Sequence, residues 1–242
     1  MRDGWESQAR NWAHFARPGH DWAHAEINLP SLLALLPPPA GPVLDLGCGE
    51  GRVSRDLRAR GYAVTGVDAA PTMVRLAAAH EDRQPVVVAD AAALPFRSES
   101  FDLVVAYMSL HDIDAMPETI GATARVLRPA GHLVAAIPHP VNSAGDFESR
   151  DGDAAFVIAG SYLASGPADW STERGGVQLT FHSEHRPLEA YSRALEAAGL
   201  LIEAIREVGV PPGGSGADPA AVRFRRIPLF LQFRAVKAGR SR

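Results

Sequence analysis

Three glycines and two carboxylates in this chain stand at a spacing that could hold a nucleoside. Gly47, Gly49 and Gly51 follow the apolar run Val43-Leu44-Asp45-Leu46, and a helical pattern begins directly after them. Glycines so arranged allow a sharp strand-to-helix turn, let a ligand approach the backbone, and leave helix amides that favour a negative group. Asp68 ends a second strand-like run, twenty-one positions after Gly47, where an acid can accept both hydroxyls of a ribose. Asp90 ends a third run, where it can accept from an adenine amino group. Acids at such places also serve as plain helix caps.

The pattern departs from that of a dinucleotide site. The nicotinamide fingerprint G-x-G-x-x-G needs a third glycine where Arg52 stands, and here that glycine comes one residue early, at Gly51. Asp45, just before the turn, would repel a pyrophosphate. It can instead pair with an ammonium group or orient the loop. An acid beneath the turn and another on the ribose suit a zwitterionic nucleoside.

Alternating strands and helices must carry these residues. Strands are expected at 43–46, 63–67, 85–89, 101–106 and 132–137. Helices are expected at 51–60, from Pro71, and from the fourth strand to about Leu127, with Arg128-Pro129-Ala130-Gly131 as the turn into the fifth strand. That alternation predicts βαβ units and a parallel sheet. Ahead of it, Trp5, Ala9, Trp12 and Phe15 predict an amphipathic helix over 5–16, broken at Pro18-Gly19. A second helix is expected over about 21–36, stopped by Pro37-Pro38-Pro39. Residues 139–186, rich in Gly, Ser, Asp and His, predict an inserted hairpin or flap with strand-like pieces at 156–158 and 177–181. A helix at 187–198, a strand at 200–206, a flexible loop at 211–216 and a strand at 228–236 complete the chain. The expected organisation is a helical lid over 1–38, a cofactor-binding core over 39–138, a substrate-facing insertion over 139–186, and a completion of the sheet over 187–242.

Val43-Leu44-Asp45-Leu46-Gly47-Cys48-Gly49-Glu50-Gly51 resembles the first motif of the class I S-adenosylmethionine-dependent methyltransferases. Gly66-Val67-Asp68-Ala69-Ala70-Pro71-Thr72-Met73 resembles the second, and Ala89-Asp90-Ala91 with Leu94-Pro95-Phe96 the third. Phe101-Asp102-Leu103-Val104-Val105 and the Leu127–Leu133 turn resemble the motifs of strands four and five. The likeness covers about 40–138 and is strongest to small-molecule enzymes of the ubiquinone and menaquinone biosynthesis type. Ala130 departs from a frequent family glycine, with Gly131 left to serve the turn.

The resemblance implies a Rossmann-like α/β fold: a seven-stranded, mostly parallel sheet of order 3-2-1-4-5-7-6, with strand seven antiparallel. It implies S-adenosyl-L-methionine as cofactor and S-adenosyl-L-homocysteine as product. The methionine carboxylate would lie near Gly47 and Gly49, the ribose on Asp68, and the adenine between Met73 and the Asp90-Ala91 edge. Asp45, Cys48, Gly51, Ala69, Tyr107 and Met108 complete the expected cofactor-binding set.

Methyl transfer is a displacement in which the protein supplies geometry, desolvation and sometimes a base. Histidine suits the last role near neutral pH. His111 and His139 follow strands four and five at the sheet edge where ligands bind, and they are the candidate catalytic residues. His182, Glu184 and His185 lack a third metal ligand in pattern and read as a solvated polar strand. The aromatics Trp5, Trp12, Phe15, Trp22, Phe156, Tyr162, Trp170 and Phe181 lie outside the motif region and suit a flat, apolar acceptor. Arg17 and His20 could reach the cofactor carboxylate from a lid.

A formal net charge of -4 argues against a general nucleic-acid binder. Arg223, Arg225 and Arg226 read as solvated charge. One cysteine among 242 residues fits a reducing cytoplasm and excludes an internal disulfide. No apolar run reaches the ~18 residues of a membrane span, and no signal-peptide core follows the first charges. The expected partner is a small molecule, the chain a monomer or homodimer. Alternatives are an RNA or protein methyltransferase, a protein that binds this cofactor without transferring methyl and, more remotely, a nicotinamide-dependent reductase.

Overall fold

Alternate residues of the central strands serve opposite faces of one sheet. In β1 (Pro42–Leu46), Leu44 and Leu46 join one core cluster and Val43 the other. In β4 (Phe101–Tyr107), Val104 and Ala106 face the first, Leu103, Val105 and Tyr107 the second. Strands apolar on both faces belong inside a sheet covered by helices on each side. In the computed structural model that is their position. The structure describes residues 1–16, 21–82, 84–174, 176–212 and 219–239.

The other sheet members are β2 (Ala63–Asp68), β3 (Val86–Val88), β5 (Leu127–Pro138), β12 (Leu200–Val208) and β13 (Phe230–Lys237). Their order is β12-β13-β5-β4-β1-β2-β3, the 3-2-1-4-5-7-6 arrangement expected above. β13 runs antiparallel to both its neighbours, while β3, β2, β1, β4 and β5 are mutually parallel. The chain leaves β1 toward β2 and β3 and returns to the other side at β4. The carboxyl ends of β1 and β4 therefore flank a switch point, where such sheets leave a crevice.

Helices α3 (Arg52–Arg58), α4 (Pro71–Ala79), α5 (Met116–Val126) and α7 (Leu188–Ala197) cover the sheet. At the amino end, α1 (Arg2–Phe15) packs on α4, and a π-turn over His24–Asn28 runs into α2 (Leu29–Leu33). The segment after β5 holds a short α6 (Pro140–Ser143) and small antiparallel pairs. These are β6 (Asp146–Phe147) with β7 (Phe156–Val157), β8 (Gly166–Pro167) with β11 (Glu184–His185), and β9 (Trp170–Arg174) with β10 (Val177–Phe181). Hairpin β9–β10 packs against α1. Among the described residues no helix is long and apolar enough to cross a membrane.

The turn into β5 corrects one expectation. Extended backbone begins at Leu127, which pairs with Phe101, and the ladder shifts register before Leu103. The left-handed residue is Ala130, at φ 62°, and not Gly131. Gly131 serves by size instead: a Cβ there would lie 2.9 Å from the Arg128 carbonyl oxygen. A left-handed alanine costs roughly 1–2 kcal/mol, more than the ~0.5–1 kcal/mol that glycine loses in backbone entropy. Ala130→Gly is expected to raise the melting temperature by about 1–3 °C. An unchanged or lower midpoint in calorimetry would contradict the strain.

Candidate functional site

The tips of β1, β2 and β4 meet above the switch point and are tied together by side chains. Gly47 has φ 73°, and a Cβ there would lie 2.5 Å from the Ser109 Cβ. Ser109, just past β4, donates its hydroxyl to the Leu46 carbonyl at 2.6 Å. Asp68, at the end of β2, accepts the Gly49 amide through Oδ2 and the Ala70 amide through Oδ1, each at 2.8 Å. The glycine turn is thus set by the same carboxylate that ends the neighbouring strand. Each Asp68 oxygen keeps lone-pair capacity for a further donor. Burial raises the Asp68 pKa above the usual carboxylate range, against the two amide bonds that lower it.

Asp45 lies beneath this turn, 1% exposed, and accepts the Ser54 hydroxyl at 2.5 Å. Burial pushes its pKa up to about 7; the Ser54 bond opposes this, and Asp68 and Glu50 add to it. Among the described residues no basic side chain pairs with Asp45. Cys48 is buried alongside, and burial together with Asp45 and Asp68 pushes its thiol up. At the third strand edge, Asp90 caps the 3₁₀ turn Ala91–Ala93 by accepting the Ala92 amide at 2.9 Å.

A cavity of about 560 Å³ opens over these tips. Asp45, Gly47, Cys48, Gly49, Asp68 and Ala69 line it, as do Met73, Asp90 and Ala91 farther along the edge. Tyr107, Met108 and His111 line it from the β4 side. Of the expected cofactor-binding and catalytic residues, two stand elsewhere. Gly51 does not reach the cavity: it is the left-handed N-cap of α3, φ 87°, with the Gln84 side chain where a Cβ would be. His139 does not reach it either. Its Nδ1 accepts the Val141 amide at 3.1 Å as the cap of α6, and its Nε2 faces Glu207 at 3.0 Å. With both nitrogens engaged, His139 serves here as the cap of α6.

His111 sits in the 3₁₀ turn Leu110–Asp112. Its Nε2 is 3.2 Å from Asp112 Oδ1, and its buried Nδ1 has no hydrogen-bond partner. Burial, with Arg186 behind it, lowers its pKa to about 3, while burial raises Asp112. Arg186 anchors this loop: it donates to the carbonyls of Leu110, Ile113 and Asp114 and pairs with Glu184.

Several contributors were not foreseen. The π-turn brings His24 Nδ1 to 2.9 Å from the Tyr107 hydroxyl. Burial lowers His24 to about 4 and lifts Tyr107 above the usual phenol range. Arg52, the residue at odds with a dinucleotide fingerprint, bonds Asp21 through both Nη atoms at 3.1 Å and lies 5.4 Å from the centre of the Trp12 ring. Glu6 accepts the Thr72 amide at 2.9 Å, which fastens α1 to the start of α4. These partners are far apart in sequence, and no local pattern announces them. Phe15, Trp12, Trp170 and Phe181 reach the cavity as expected, but Phe156 and Tyr162 do not. His185 is buried, between the Ser143 hydroxyl at 2.8 Å and the Tyr162 carbonyl at 2.9 Å, and is no solvated strand residue. Arg17 and His20 lie outside the described residues.

A methyltransferase-domain family matches residues 44–135. The ubiquinone biosynthesis O-methyltransferase of Methylobacterium nodulans is 30% identical over 187 residues, covering 75% of this chain and 69% of that protein. This chain belongs to the class I S-adenosylmethionine-dependent methyltransferases. A solved S-adenosylmethionine-dependent methyltransferase from Mesorhizobium loti superposes with a TM-score of 0.72 at 28% identity, over 86% of this chain and 96% of that one. The malonyl-[acyl-carrier protein] O-methyltransferase of Enterobacter lignolyticus is 36% identical over 91 residues, 38% of this chain and 36% of the relative. Of this and two further curated relatives the chain spans between 36% and 62% of the length.

The site suits this family's cofactor, S-adenosylmethionine. Asp68 presents two acceptors for two hydroxyls, and the unpaired Asp45 supplies negative potential where an ammonium and a sulfonium would need it. Asp68→Ala is expected to weaken S-adenosylhomocysteine binding by about 1–3 kcal/mol; unchanged affinity in calorimetry would remove the ribose assignment. A cation at the turn lowers the Asp45 pKa from about 7, so cofactor binding is expected to release protons, up to about half of one per site at pH 7 and more at pH 6. Titrations in buffers of different ionisation enthalpy measure this, and proton uptake would refute it.

Proposed function

We propose that this protein transfers the methyl group of S-adenosylmethionine to a small-molecule acceptor at oxygen, nitrogen or carbon, with His111 accepting the displaced proton. When bound, the cofactor supplies a methyl group already activated on a positively charged sulfur. The protein's share is then to orient the acceptor, exclude water and manage one proton.

The observation that carries this reading is the bare ring nitrogen of His111. Its Nδ1 is shielded from water, unpartnered, and on a residue that lines the cavity. Asp112 Oδ1 lies 3.2 Å from Nε2 without a hydrogen bond between them, so a proton on Nε2 with the Nδ1 lone pair free is the tautomer this reading requires. With a pKa near 3 the ring is neutral throughout the physiological range. A weak base suffices here, because an acceptor becomes strongly acidic as it gains the methyl group. The anchors from Arg186 hold the loop that presents it.

A cavity of about 560 Å³ falls in the range of small-molecule sites. In this reading residues 1–38 act as a lid and 139–186 face the acceptor. Trp12 and Phe15 from the first, and Trp170 and Phe181 from the second, form a continuous aromatic cluster, with Trp170 stacked on Phe181 at 4.1 Å and Trp12 on Phe15 at 5.7 Å. Such a wall suits a flat acceptor.

Methyl-labelled cofactor, incubated with a metabolite extract, identifies the acceptor as the compound that gains label. On that compound His111→Gln is expected to lower kcat by about 100-fold or more, with S-adenosylhomocysteine affinity unchanged within twofold. Equal loss in both would reduce His111 to a packing role. Tight cofactor binding with no labelled compound would favour a protein that holds the cofactor without transferring methyl.

A further inference from the structure

The arginines near the last strand do not share one environment. Arg226 donates to the Ala154 carbonyl at 2.8 Å, on the outer surface. Arg223, in the 3₁₀ turn Pro219–Arg225, is folded inward against two phenyl rings. Its guanidinium carbon lies 5.2 Å from the Phe147 centroid and 5.0 Å from that of Phe224. The two rings meet edge to face at 5.2 Å, and Phe156 supports Phe147 from 5.0 Å. Nη1 reaches the Ser149 carbonyl at 3.4 Å, while the buried Nε has no partner. Among the described residues Arg223 and Arg150 make no ion pair, and both line the cavity.

We propose that Arg223, assisted by Arg150, is an anion-binding subsite for the methyl acceptor, which has an apolar or aromatic body and a carboxylate tail. The proposal rests on the cavity being an acceptor site. A shielded guanidinium donor without a partner is costly unless an anion completes it. Its planar fork matches a carboxylate, and the flanking rings hold that fork ready. Asp45, Asp68 and Asp90 stand at the tips of β1, β2 and β3, and Arg223 stands in the turn that precedes β13; Arg52, which also lines the cavity, is already paired with Asp21. β1 and β13 lie three strand positions apart, on the order of 14 Å. β4, which precedes His111, lies between them. An anion is repelled from the glycine turn and drawn to the far wall. An acceptor anchored there extends past Phe230 and Trp170 toward His111.

Calorimetry on S-adenosylhomocysteine-loaded protein, with 4-hydroxycinnamate and its neutral amide as probes, tests the subsite. The acid is expected to bind at least tenfold more tightly than the amide. Arg223→Gln removes the preference, Arg223→Lys keeps part of it, and Arg150→Gln, on an exposed loop, reduces it severalfold. S-adenosylhomocysteine affinity stays the same in all three, which shows that each variant folds. Equal affinity for acid and amide, binding of neither, or a preference that survives Arg223→Gln overturns the subsite. Failure of the wild-type protein to bind S-adenosylhomocysteine instead overturns the methyl-transfer reading, and the subsite falls with it.

Discussion

A carboxyl group without a cationic partner lies under the tightest turn of the molecule, and the cavity is arranged around that deficit. Asp45, 1% exposed, is held by the Ser54 hydroxyl from the first turn of α3. Asp68 stands at the next strand tip and Glu50 on the turn itself, and both raise the Asp45 pKa. Glu50 is matched by Arg55 at 2.6 Å, but Asp45 and Asp68 have only neutral donors. A site of this kind discriminates by charge before shape: it favours a ligand that is positive near the turn and rejects phosphate.

The loop after β4 is held on both sides. Ser109 ties it to β1 and Arg186 ties it to the segment entering α7. His111 is therefore presented by a braced loop, and the bracing comes from opposite ends of the sequence. The N-terminal helix closes the remaining side. A Cβ on Gly49 would meet the Trp12 indole nitrogen at 3.4 Å, so α1 approaches the turn itself. The Arg52–Asp21 pair, both partners largely shielded, links the segment ahead of the π-turn to the start of α3.

What could be read from the sequence was local. The glycine turn, its distance to Asp68 and the strand rhythm from 43 to 137 are each encoded within a short stretch, and the sheet order followed from the family resemblance. The site residues on those strand tips reached the cavity for the same reason. Residues whose role depends on a distant partner were not legible. His139 looked like a sheet-edge base, yet Pro140 starts a helix that takes its Nδ1 for a cap. His24 acquires meaning only from Tyr107, 83 positions away. Arg223 looked solvated because Phe147 and Phe224, the rings that shelter it, come from a separate loop and its own turn. Ala130 misled in the opposite sense: the adjacent glycine invited an assignment of torsion, when crowding by the Arg128 and Asp102 carbonyls is what excludes a side chain there.

The single sulfhydryl has a bearing on how the chain can be handled. Cys48 is buried between the turn and β2, where a Cβ on Gly66 would lie 2.8 Å from its Sγ, and its ionisation is suppressed by burial and by Asp45, Asp68 and Glu50. Alkylating reagents attack the thiolate, so the folded chain should resist them, and labelling at that atom would register each opening of the cradle. Labelling of this one native sulfur thus reports opening of the turn against β2, with no competing thiol to correct for.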